Sequence, residues 1–387
     1  MENKRSFLTD FIEQRKQVNQ QRHLRSLTSS DQAEVHYNGR TLINFCSNNY
    51  LGLAHHPLLK QRSIDYIHQY GTGATASRLV CGNFRFHEEL ETKIATLINY
   101  ESALLFNSGY QANLTLLPAL ADRHSLILAD KHNHHSLLQG AKASGAKVVR
   151  FRHNDLNHLE LLLQDAAEGP YTRKWIVTES IFSMDGDCSD LDVLAALAKK
   201  YEALLYIDDA HATGVTGING MGHTSHRSDI DIAVGVFGKS GGASGAFAAC
   251  SKLMYTYLIQ CCAGIIYSTA LPPAIIGAID GALEIISQFD EERKKLQEST
   301  ISLRNALQQL GFNTGSSTTH IIPIVMKTEE QALALASWLE QNGILAIAIR
   351  PPTVPADCSC IRLSLSTMHT QSHVDQLLTV LQKWTAL

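Results

Sequence analysis

The sequence has no surplus of positive charge and no apolar leader. Its 387 residues include 33 Lys and Arg against 37 Asp and Glu, which gives a formal net charge of −4. Proteins that bind nucleic acids carry a basic surface, so we expect no nucleic-acid partner. The first residues, MENKRSFLTDFIEQRK, are charged and lack the apolar core of an export signal. We therefore expect the protein to stay in the cytoplasm.

Cysteine motifs for metal binding are also missing. Of the eight cysteines, Cys261 and Cys262 are adjacent, and Cys358 and Cys360 are two positions apart. Neither spacing is that of a zinc site. In a cytoplasmic chain such cysteines are expected to be buried or incidental thiols, and we predict no metal site.

One long uncharged run lacks the features of a membrane span. Residues 253–279 contain no charged side chain and are long enough to cross a bilayer. However, Pro272 and Pro273 interrupt the run, and polar residues including Ser268 and Thr269 lie within it. A lipid-exposed helix would leave those backbone groups unsatisfied. The run predicts a buried helix, a polar turn and a second buried helix, which could lie at a subunit interface, with no membrane association.

Seven short apolar runs predict a parallel sheet. Most are nearly continuous β-formers rather than alternating, as in strands that are buried on both faces. Helical patterns such as LDVLAALAKKYE lie between them. The expected fold is therefore α/β, with a mostly parallel central sheet between helices. The runs are SALLFNSG, SLILAD, AKVVRF, KWIVTES, ALLYIDDAH, DIAVGVFG and GAFAACS.

We expect the chain to divide into an N-terminal helix and hairpin segment (1–45), a large domain (46–287) and a smaller C-terminal α+β domain (288–387). The first helix is predicted over 8–26, before the hairpin VHYNGRTLINF. The segment 288–311 is predicted to be an amphipathic helix. Neither an internal repeat nor a low-complexity tract is present.

The C-terminal domain should contain both strands and helices. We predict a strand at HIIPIVM, a helix at EEQALALASWLEQNG, strands at LAIAIR and SCIRLSLS, and a final helix from about Ser372. Gly343 is placed to end the middle helix. Ser372 and Asp375 resemble a capping box at the start of the last one.

Polar residues follow four of the predicted strands. Because ligands collect beyond the carboxyl ends of strands in open parallel sheets, these residues predict a shared site. For any one of them alone, a helix cap or turn is the simpler interpretation. The residues are Ser108, Gly109, Tyr110, Glu179, Ser183, Asp208, His211 and Lys239.

Lys239 and Asp208 carry the chemistry of this predicted site. Lys239 lies in VFGKSGGASG, where flanking glycines and serines leave room for a bulky covalent adduct. Asp208 ends an apolar strand and would supply a fixed negative charge to a heterocycle. Together they predict a lysine Schiff base with pyridoxal phosphate (PLP). The alternatives are a helix cap for Asp208 and a structural role for His211, which could otherwise bond the phenolic oxygen of the cofactor.

His134 and the turn before a helix could complete the cofactor site. His134 lies in DKHNHHS, just after the strand SLILAD. A metal site is the alternative, but no acid or cysteine offers recognised ligand spacing, so stacking on a cofactor ring fits better. Backbone amides at Gly109 and Tyr110, which precede the helix QANLTLLPAL, would hold a phosphate.

Two arginines of the C-terminal domain are candidates for substrate binding. Arg350 begins a turn that reaches Thr353, and Arg362 lies in IRLSLS. Arginine is suited to bidentate capture of a carboxylate. For each alone, a surface or interdomain ion pair is the simpler interpretation, and it is their position on neighbouring predicted strands that favours substrate binding.

A competing dinucleotide fingerprint is present at 71–76, where GTGATA matches G-x-G-x-x-A. A functional fingerprint must follow a buried strand and open a helix. The preceding residues, LLKQRSIDYIHQY, have helical spacing, which argues against a nicotinamide-dependent oxidoreductase.

With these residues identified, nearly the whole chain resembles the α-oxoamine synthases, a PLP-dependent family of fold type I. Single motifs are weak, but their number and order make the resemblance specific. The motifs are FCSNNYLGLAHHP, GTGATASRLVCGN, HEELE, FNSGYQAN, TESIFSMDGD, IDDAHATGVTG, FGKSGGASGAF and YSTALPP.

The resemblance implies roles for residues around the PLP ring. Lys239 would be the Schiff-base lysine and Asp208 the partner of the pyridine nitrogen. His134 would stack on the ring, and His211 and Ser183 would contact its phenolic oxygen.

It also implies how the PLP phosphate is held. Gly109 and Tyr110 would bind it through backbone amides. Ser268 and Thr269 would reach the phosphate of the neighbouring subunit, which implies an obligate homodimer. The family usually has threonine three residues before the lysine, where this chain has Val236; losing that hydroxyl should weaken PLP binding or be compensated by another donor.

The remaining implied residues bind substrates. Asn48 and Arg362 would bind the carboxylate of the amino acid. Arg22, Arg350 and Thr353 would face an acyl thioester, carried by CoA or an acyl carrier protein.

The segment IRPPTVP at 349–355 resembles one branch of the family. That branch condenses L-alanine with a pimeloyl thioester in biotin biosynthesis, releasing CO2 and the thiol and giving 8-amino-7-oxononanoate. GGASG after the lysine also resembles a branch that joins glycine to acetyl-CoA, so both reactions stay open. An inactive partner subunit is a third alternative, against which the intact lysine and Asp-x-x-His set argue.

Overall fold

The computed structural model describes residues 4–31 and 33–386. They form two compact units. One comprises the described residues up to Tyr50, residues 184–187 and those from Lys295 onward; we call it the terminal unit. The other, the central unit, comprises Leu51–Ser183 and Cys188–Lys294. The division into three parts stays a prediction.

Strands and helices alternate through the middle of the chain, as the sequence predicts. The strands are β1 Ser29–Asp31, β2 Glu34–Tyr37, β3 Arg40–Asn44, β4 Ser102–Phe106, β5 Ser125–Asp130, β6 Lys147–Phe151, β7 Arg173–Glu179, β8 Leu204–Asp208, β9 Ile232–Val236, β10 Ala246–Cys250, β11 Ile321–Lys327, β12 Ile344–Leu345, β13 Ile347–Ile349 and β14 Ser359–Ser364. The helices are α1 Ser6–Gln17, α2 Pro57–Tyr70, α3 Arg85–Ile98, α4 Gly109–Leu120, α5 His135–Ala143, α6 Leu156–Asp165, α7 Leu191–Lys200, α8 Lys252–Cys261, α9 Ala263–Ile266, α10 Pro273–Ile286, α11 Asp290–Gln309, α12 Glu329–Gln341 and α13 Gln371–Thr385.

The central unit is built on a sheet whose described strands lie in the order β4-β10-β9-β8-β7-β5-β6. All seven predicted strands are confirmed. The neighbours from β9 to β6 pair in parallel, and β10 pairs antiparallel with both β4 and β9. The α/β fold with a mostly parallel sheet is therefore confirmed.

Side-chain alternation along each strand separates the sheet into two buried faces. On β8, Leu205 and Ile207 pack into one apolar cluster, and Tyr206 packs into the other. The second cluster also contains Leu116 of α4 and Leu137 of α5. Both faces are covered, which explains why the strands are continuous apolar runs.

The uncharged run at 253–279 is only partly as predicted. Its second half is a buried helix, α10, in which Ile276 and Ile279 are fully buried. The first helix, α8, is not buried within its own chain, since Leu253 is 81% and Tyr257 45% exposed, and its burial at a subunit interface stays a prediction. Across residues 4–31 and 33–386, no helix combines the length and apolar character needed to cross a membrane.

The terminal unit contains two smaller sheets, ordered β1-β2-β3-β12 and β11-β14-β13. The predicted hairpin is confirmed as β2 and β3, joined through Asn38 and Gly39 at φ 50° and 72°. Such a pair of left-handed residues is typical of a two-residue hairpin turn. The predicted helix over 8–26 is too long: α1 ends at Gln17, and Asn19 takes φ 54°, which a continuing helix cannot accommodate.

Two further details of the terminal unit differ from prediction. The single strand expected at LAIAIR is split, since β12 pairs with β3 and β13 with β14. The cap of α13 is Thr370 rather than Ser372: Thr370 accepts from the His373 N–H, and His373 Nδ1 accepts from the Thr370 N–H, both at 3.3 Å. Thr370 has the extended backbone that a helix cap requires. Gly343, at φ 84°, follows α12 as predicted.

Candidate active site

A cavity of about 210 Å³ in the central unit brings together most of the predicted cofactor residues. It lies where β7, β8 and β9 end, close to the first residues of α4 and α5. Both features agree with the expected placement of ligands in parallel sheets. The lining includes Ser108, Gly109, Tyr110, Asn113, His134, Ser136, Glu179, Asp208, His211, Val236 and Lys239.

Lys239 lies on the turn after β9, and Lys239 Nζ is 2.7 Å from Nε2 of His211. The turn is narrow. A Cβ on Gly242 would lie 2.4 Å from the backbone nitrogen of Ala54, and Gly242 itself has φ 60°. Glycine is therefore required at this position, and the turn places an amine beside an imidazole in the cavity.

Asp208 is the acid of the IDDAH motif that lines the cavity. It is 5% exposed, and its carboxylate accepts hydrogen bonds from Asn113 Nδ2 at 2.6 Å and from the Ala210 N–H at 3.0 Å. The next residue, Asp209, turns to other partners and accepts from the hydroxyls of Ser180 and Thr224. The choice of Asp208 as the acid that lines the site is thus consistent with the geometry.

A series of hydrogen bonds, buried from Asp208 to Ser136 and partly buried at His134, connects Asp208 with His134. Asn113 Nδ2 also donates to Ser136 Oγ at 2.9 Å, and Ser136 Oγ is 2.7 Å from His134 Nδ1. Tyr206 donates its hydroxyl proton to Asn113 Oδ1 at 2.7 Å, which orients the amide. Because Asn113 and Ser136 each bond to a neighbour on both sides, they orient the acid and the imidazole.

Charge and burial shape the protonation of this cluster. Partial desolvation lowers the pKa of the His134 imidazole, the Asp208 anion opposes this effect, and the Lys239 amine adds to it. Burial raises the pKa of Glu179 well above its ordinary value, and the Asp208 charge adds to this effect. A neutral imidazole can stack on a positively charged ring without like-charge repulsion.

The N-terminus of α4 forms another wall of the cavity. Ser108 caps the helix, its hydroxyl accepting from the Gln111 N–H at 3.1 Å. A Cβ on Gly109 would lie 2.6 Å from Cγ1 of Val236, so only glycine fits there. The amides at this helix start are suited to an anion such as phosphate.

Ser183, Ser268 and Thr269 are not part of the cavity lining in the described residues. Ser183 is buried in the loop after β7. Ser268 and Thr269 lie elsewhere, where Asn107 Nδ2 donates to Ser268 Oγ at 2.9 Å and to the Thr269 carbonyl at 3.0 Å. Their predicted contacts with the cofactor stay predictions.

In the terminal unit, Asn48 and Arg362 are joined through a residue that sequence reasoning missed. Arg362 Nη2 donates to the Tyr50 hydroxyl at 3.2 Å, and that hydroxyl donates to Asn48 Oδ1 at 2.9 Å. Arg362 Nη1 also donates to Ser364 Oγ at 2.6 Å. Tyr50 is fully buried, so it fixes the two predicted carboxylate-binding groups next to each other.

The terminal unit also contains a larger cavity of about 590 Å³. The predicted residues Arg22, Arg350 and Thr353 all line it, and Arg22 Nη2 donates to Thr353 Oγ1 at 3.3 Å. Lys16 and Arg25 also line it, and each is paired with an acid outside the lining: Lys16 Nζ with Glu13 at 2.6 Å and Arg25 Nη1 with Glu340 at 2.7 Å. The lining itself contains no acid among the described residues. Burial and the nearby Arg22 lower the pKa of Arg350. This cavity is suited to an anionic ligand.

Several site residues escaped the sequence analysis although a local signal existed. Asn113 lies four residues after Gly109 on one helix, and Tyr206 lies two residues before Asp208 on one strand. Both spacings place side chains on a shared face. GTGATA, in contrast, begins right after α2 ends at Tyr70, so it follows a helix and lacks the strand that a dinucleotide site requires.

Sequence comparison gives a consistent result over the full chain. Residues 40–381 match the family model described as aminotransferase class I and II. The chain is 48% identical to a putative 8-amino-7-oxononanoate synthase of Desulfosudis oleivorans, covering 98% of this chain and 99% of the relative. It is 42% identical to the 8-amino-7-oxononanoate synthase of Gluconacetobacter diazotrophicus, covering 93% of each.

Solved structures of similar fold agree with these relatives. The serine palmitoyltransferase (SPT) of Sphingomonas wittichii superposes with a TM-score of 0.92 at 28% identity, over 99% of this chain and 98% of that one. A structure of SPT with a PLP internal aldimine superposes with a TM-score of 0.90 at 26% identity, covering 98% of this chain and 97% of that one. The 8-amino-7-oxononanoate synthase of Francisella tularensis superposes with a TM-score of 0.78 at 29% identity, covering 89% of this chain and 98% of that one. The chain therefore belongs to the aminotransferase class I and II family and, within it, to the PLP-dependent α-oxoamine synthases of fold type I.

Proposed function

We propose that this protein is a PLP-dependent C-acyltransferase of biotin biosynthesis. It condenses L-alanine with a pimeloyl thioester and gives 8-amino-7-oxononanoate, CO2 and the free thiol. The observation that carries the proposal is the cavity in which Lys239, His211, Asp208 and His134 meet. Relatives that match nearly the whole chain and bear the name of this activity support the choice of reaction.

The residues of the cavity fit PLP in size and chemistry. Lys239 supplies an amine, Asp208 an anion for the pyridine nitrogen, and His134 a planar ring, while His211 and Ser183 would contact the phenolic oxygen. A cavity of about 210 Å³ is large enough for a substituted pyridine. When bound, PLP withdraws electrons from the α-carbon of the amino acid.

The phosphate of PLP would bind at the start of α4. Gly109 and Tyr110 would donate their amides, and the absence of a Cβ at Gly109 lets the backbone approach closely. Val236 presents a methyl group toward Gly109 where the family usually has a threonine hydroxyl. We expect phosphate retention to depend more heavily on the remaining donors.

The protein's own groups would move the protons of the reaction. Lys239 Nζ would take the proton from Cα of alanine and return one to the same carbon after CO2 leaves. His211 Nε2, 2.7 Å from Lys239 Nζ, would keep that amine oriented. The buried Asp208 anion would stabilise positive charge on the ring throughout.

Residues of the terminal unit would bind the two substrates. Arg362, oriented by Ser364 and Tyr50, and the Asn48 side chain would bind the carboxylate of alanine. The cationic cavity with Arg22, Arg350 and Thr353 would take the acyl thioester, whose pimeloyl carboxylate and phosphate-bearing carrier are both anionic. Either CoA or an acyl carrier protein would meet this requirement.

The protein would act as a homodimer, with Ser268 and Thr269 reaching the neighbouring cofactor phosphate. Exposed apolar side chains support an extensive subunit contact. Tyr267 is 83% and Val80 77% exposed, and no residue of α1 is buried within its own chain. Such surfaces are usually covered by a partner. The cytoplasmic location expected from the sequence stays a prediction.

The test is a mass-spectrometric product assay with the purified, PLP-loaded protein. Alanine with pimeloyl-CoA or the pimeloyl carrier protein should give 8-amino-7-oxononanoate with release of one thiol per product. Glycine with acetyl-CoA and serine with palmitoyl-CoA serve as competing substrate pairs. Faster turnover of either pair than of alanine with both pimeloyl thioesters would contradict the proposal.

A further inference from the structure

Glu179 is a second buried carboxyl group beside Asp208, and the proposed reaction does not use it. The two residues are direct neighbours in the parallel pairing of β7 with β8. Two positions earlier on each strand, Val177 and Tyr206 belong to the same apolar cluster, so Glu179 and Asp208 share one face of the sheet. Both line the Lys239 cavity.

Hydrogen bonds distinguish the two carboxyl groups. In the described residues, Asp208 accepts from two donors, Asn113 Nδ2 and the Ala210 N–H. Glu179 accepts from one, the His134 N–H, at 2.5 Å from Oε1. Donors stabilise an ionised carboxylate, so of two neighbouring carboxyls the one with more donors ionises first.

The charged and titratable groups that face Glu179 come from four elements. Asp208 lies on β8, Asp130 at the end of β5, His134 at the start of α5 and Lys239 on the turn after β9. With 2% exposure, Glu179 has almost no water to stabilise an anion. Two adjacent buried anions would repel each other in a medium of low dielectric constant.

We propose that Glu179 stays protonated, leaving Asp208 as the single anion of the pair, and acts as a positioning residue that anchors the backbone of His134. The inference rests on the proposed function, because His134 is taken as the residue that stacks on PLP. Burial and the Asp208 charge both raise the pKa of Glu179 well above the ordinary value of 4.5. This agrees with the hydrogen bonds, which also favour a protonated Glu179.

The proposal makes Gln the conservative replacement for Glu179. A glutamine amide has nearly the shape of a neutral carboxyl and offers its carbonyl oxygen to the His134 N–H. Alanine removes the acceptor and leaves the partly buried His134 N–H without this partner. Glu298, an exposed glutamate of α11, provides a matched control as Glu298→Gln.

The first experiment measures PLP dissociation constants and the pH at which the visible band of bound PLP titrates. A nearby anion raises that midpoint, because it stabilises the positively charged form. Glu179→Gln should keep the midpoint unchanged, as should Glu298→Gln, with PLP affinity within about threefold of the wild type. Glu179→Ala should weaken PLP about tenfold or more, because His134 loses its anchor.

Two outcomes would overturn the proposal. If the pH midpoint of the visible band falls by about one pH unit or more in Glu179→Gln, Glu179 is ionised in the wild type. Unchanged PLP affinity in Glu179→Ala would remove its positioning role. If the wild-type protein itself fails to bind PLP, the proposed function is wrong. That result is distinguishable from the two outcomes above, which concern only the Glu179 variants.

A second experiment tests the protonation without PLP. A carboxyl whose pKa is raised in the folded state stabilises the protein below the ordinary value of 4.5, and this stability is lost as pH rises toward the raised value. As pH increases from 4.5, the urea midpoint of Glu179→Gln should therefore rise relative to that of the wild type. Parallel curves for the two proteins would contradict the raised pKa.

Discussion

The two cavities differ in how their polar groups are held. The Lys239 cavity, about 210 Å³, is lined by residues at the ends of strands and the starts of helices, and buried hydrogen bonds hold Asp208, Asn113 and Ser136 among them. The Arg350 cavity, about 590 Å³, is lined largely by residues 19–25 and 347–353, with Arg350 held by the backbone carbonyls of Asn19 and Gln21. The first is suited to chemistry that tolerates little movement. The second is suited to binding a large anionic group through charge.

This difference implies that changes in the Lys239 cavity should lower kcat and changes in the Arg350 cavity should raise KM for the thioester. Groups that act on the reacting carbon stabilise the transition state more than the bound substrate. Groups that only bind the substrate stabilise both equally.

The largest effect is expected from Lys239→Ala. In the proposed function the Lys239 amine both attaches PLP and takes the α-proton, so its loss should lower turnover by at least about 10³-fold. PLP should still bind weakly through its phosphate and ring. Product formation by mass spectrometry and absorbance after gel filtration measure the two properties. Exposed Lys60→Ala is the control, and near-normal turnover in Lys239→Ala would refute the mechanism.

Asp208→Asn and Asp209→Asn form a matched pair, since the residues are adjacent, acidic and buried. Asp208→Asn loses the charged bond to the ring, worth about 1.5–3 kcal/mol, so kcat should fall about 10- to 150-fold. Asp209→Asn should instead lower the free energy of unfolding, because Asp209 accepts from Ser180 and Thr224. Kinetics and urea unfolding of both variants test this, and equal loss of kcat would contradict the distinction.

Arg350→Gln should act on binding. Removal of the charge should raise KM for the pimeloyl thioester about tenfold while kcat changes less than about twofold. Initial-rate kinetics at saturating alanine separate the two parameters. Arg85→Gln, at an exposed position on α3, is the control. A fall in kcat without a change in KM would place Arg350 among the reacting groups instead.

Val236→Thr should produce a smaller gain. A hydroxyl close to Gly109 would add one hydrogen bond to the phosphate, worth about 1 kcal/mol, and tighten PLP about fivefold. Val236→Ala, which changes the volume but adds no donor, is the matched control. Equilibrium titration with PLP measures the affinity. No tightening with threonine would show that another group already supplies this bond.

One histidine in each unit should affect stability rather than activity: His87 is buried and His369 is half-buried. Burial lowers the pKa of both His87, in the central unit, and His369, in the terminal unit, from 6.5 to about 4. Neutral histidine therefore stabilises the fold above pH 6.5, and this stability is lost as pH falls toward 4. His87→Asn and His369→Asn should flatten the fall in urea midpoint across this range. Exposed His55→Asn should leave this fall in urea midpoint unchanged. A fall as steep as that of the wild type in both His87→Asn and His369→Asn would refute the lowered pKa values.

The sequence by itself determined the strands, the order of the motifs and the residues that could perform the chemistry. Continuous apolar runs are a local property, so they predicted all seven strands of the central sheet, and the glycines and serines beside Lys239 predicted the turn that carries it. They failed where an end depends on backbone conformation, as at Asn19 after α1 and Thr370 before α13.

Only the tertiary structure decided which polar groups meet. Asp208 contacts Asn113 of α4 across 95 positions of sequence, and Glu179 contacts the His134 backbone across 45. The pairing of β7 with β8 brings Glu179 beside Asp208, and no local pattern specifies that register. Protonation in the cavity follows from these contacts, because burial and neighbouring charge are properties of the folded chain and not of any segment.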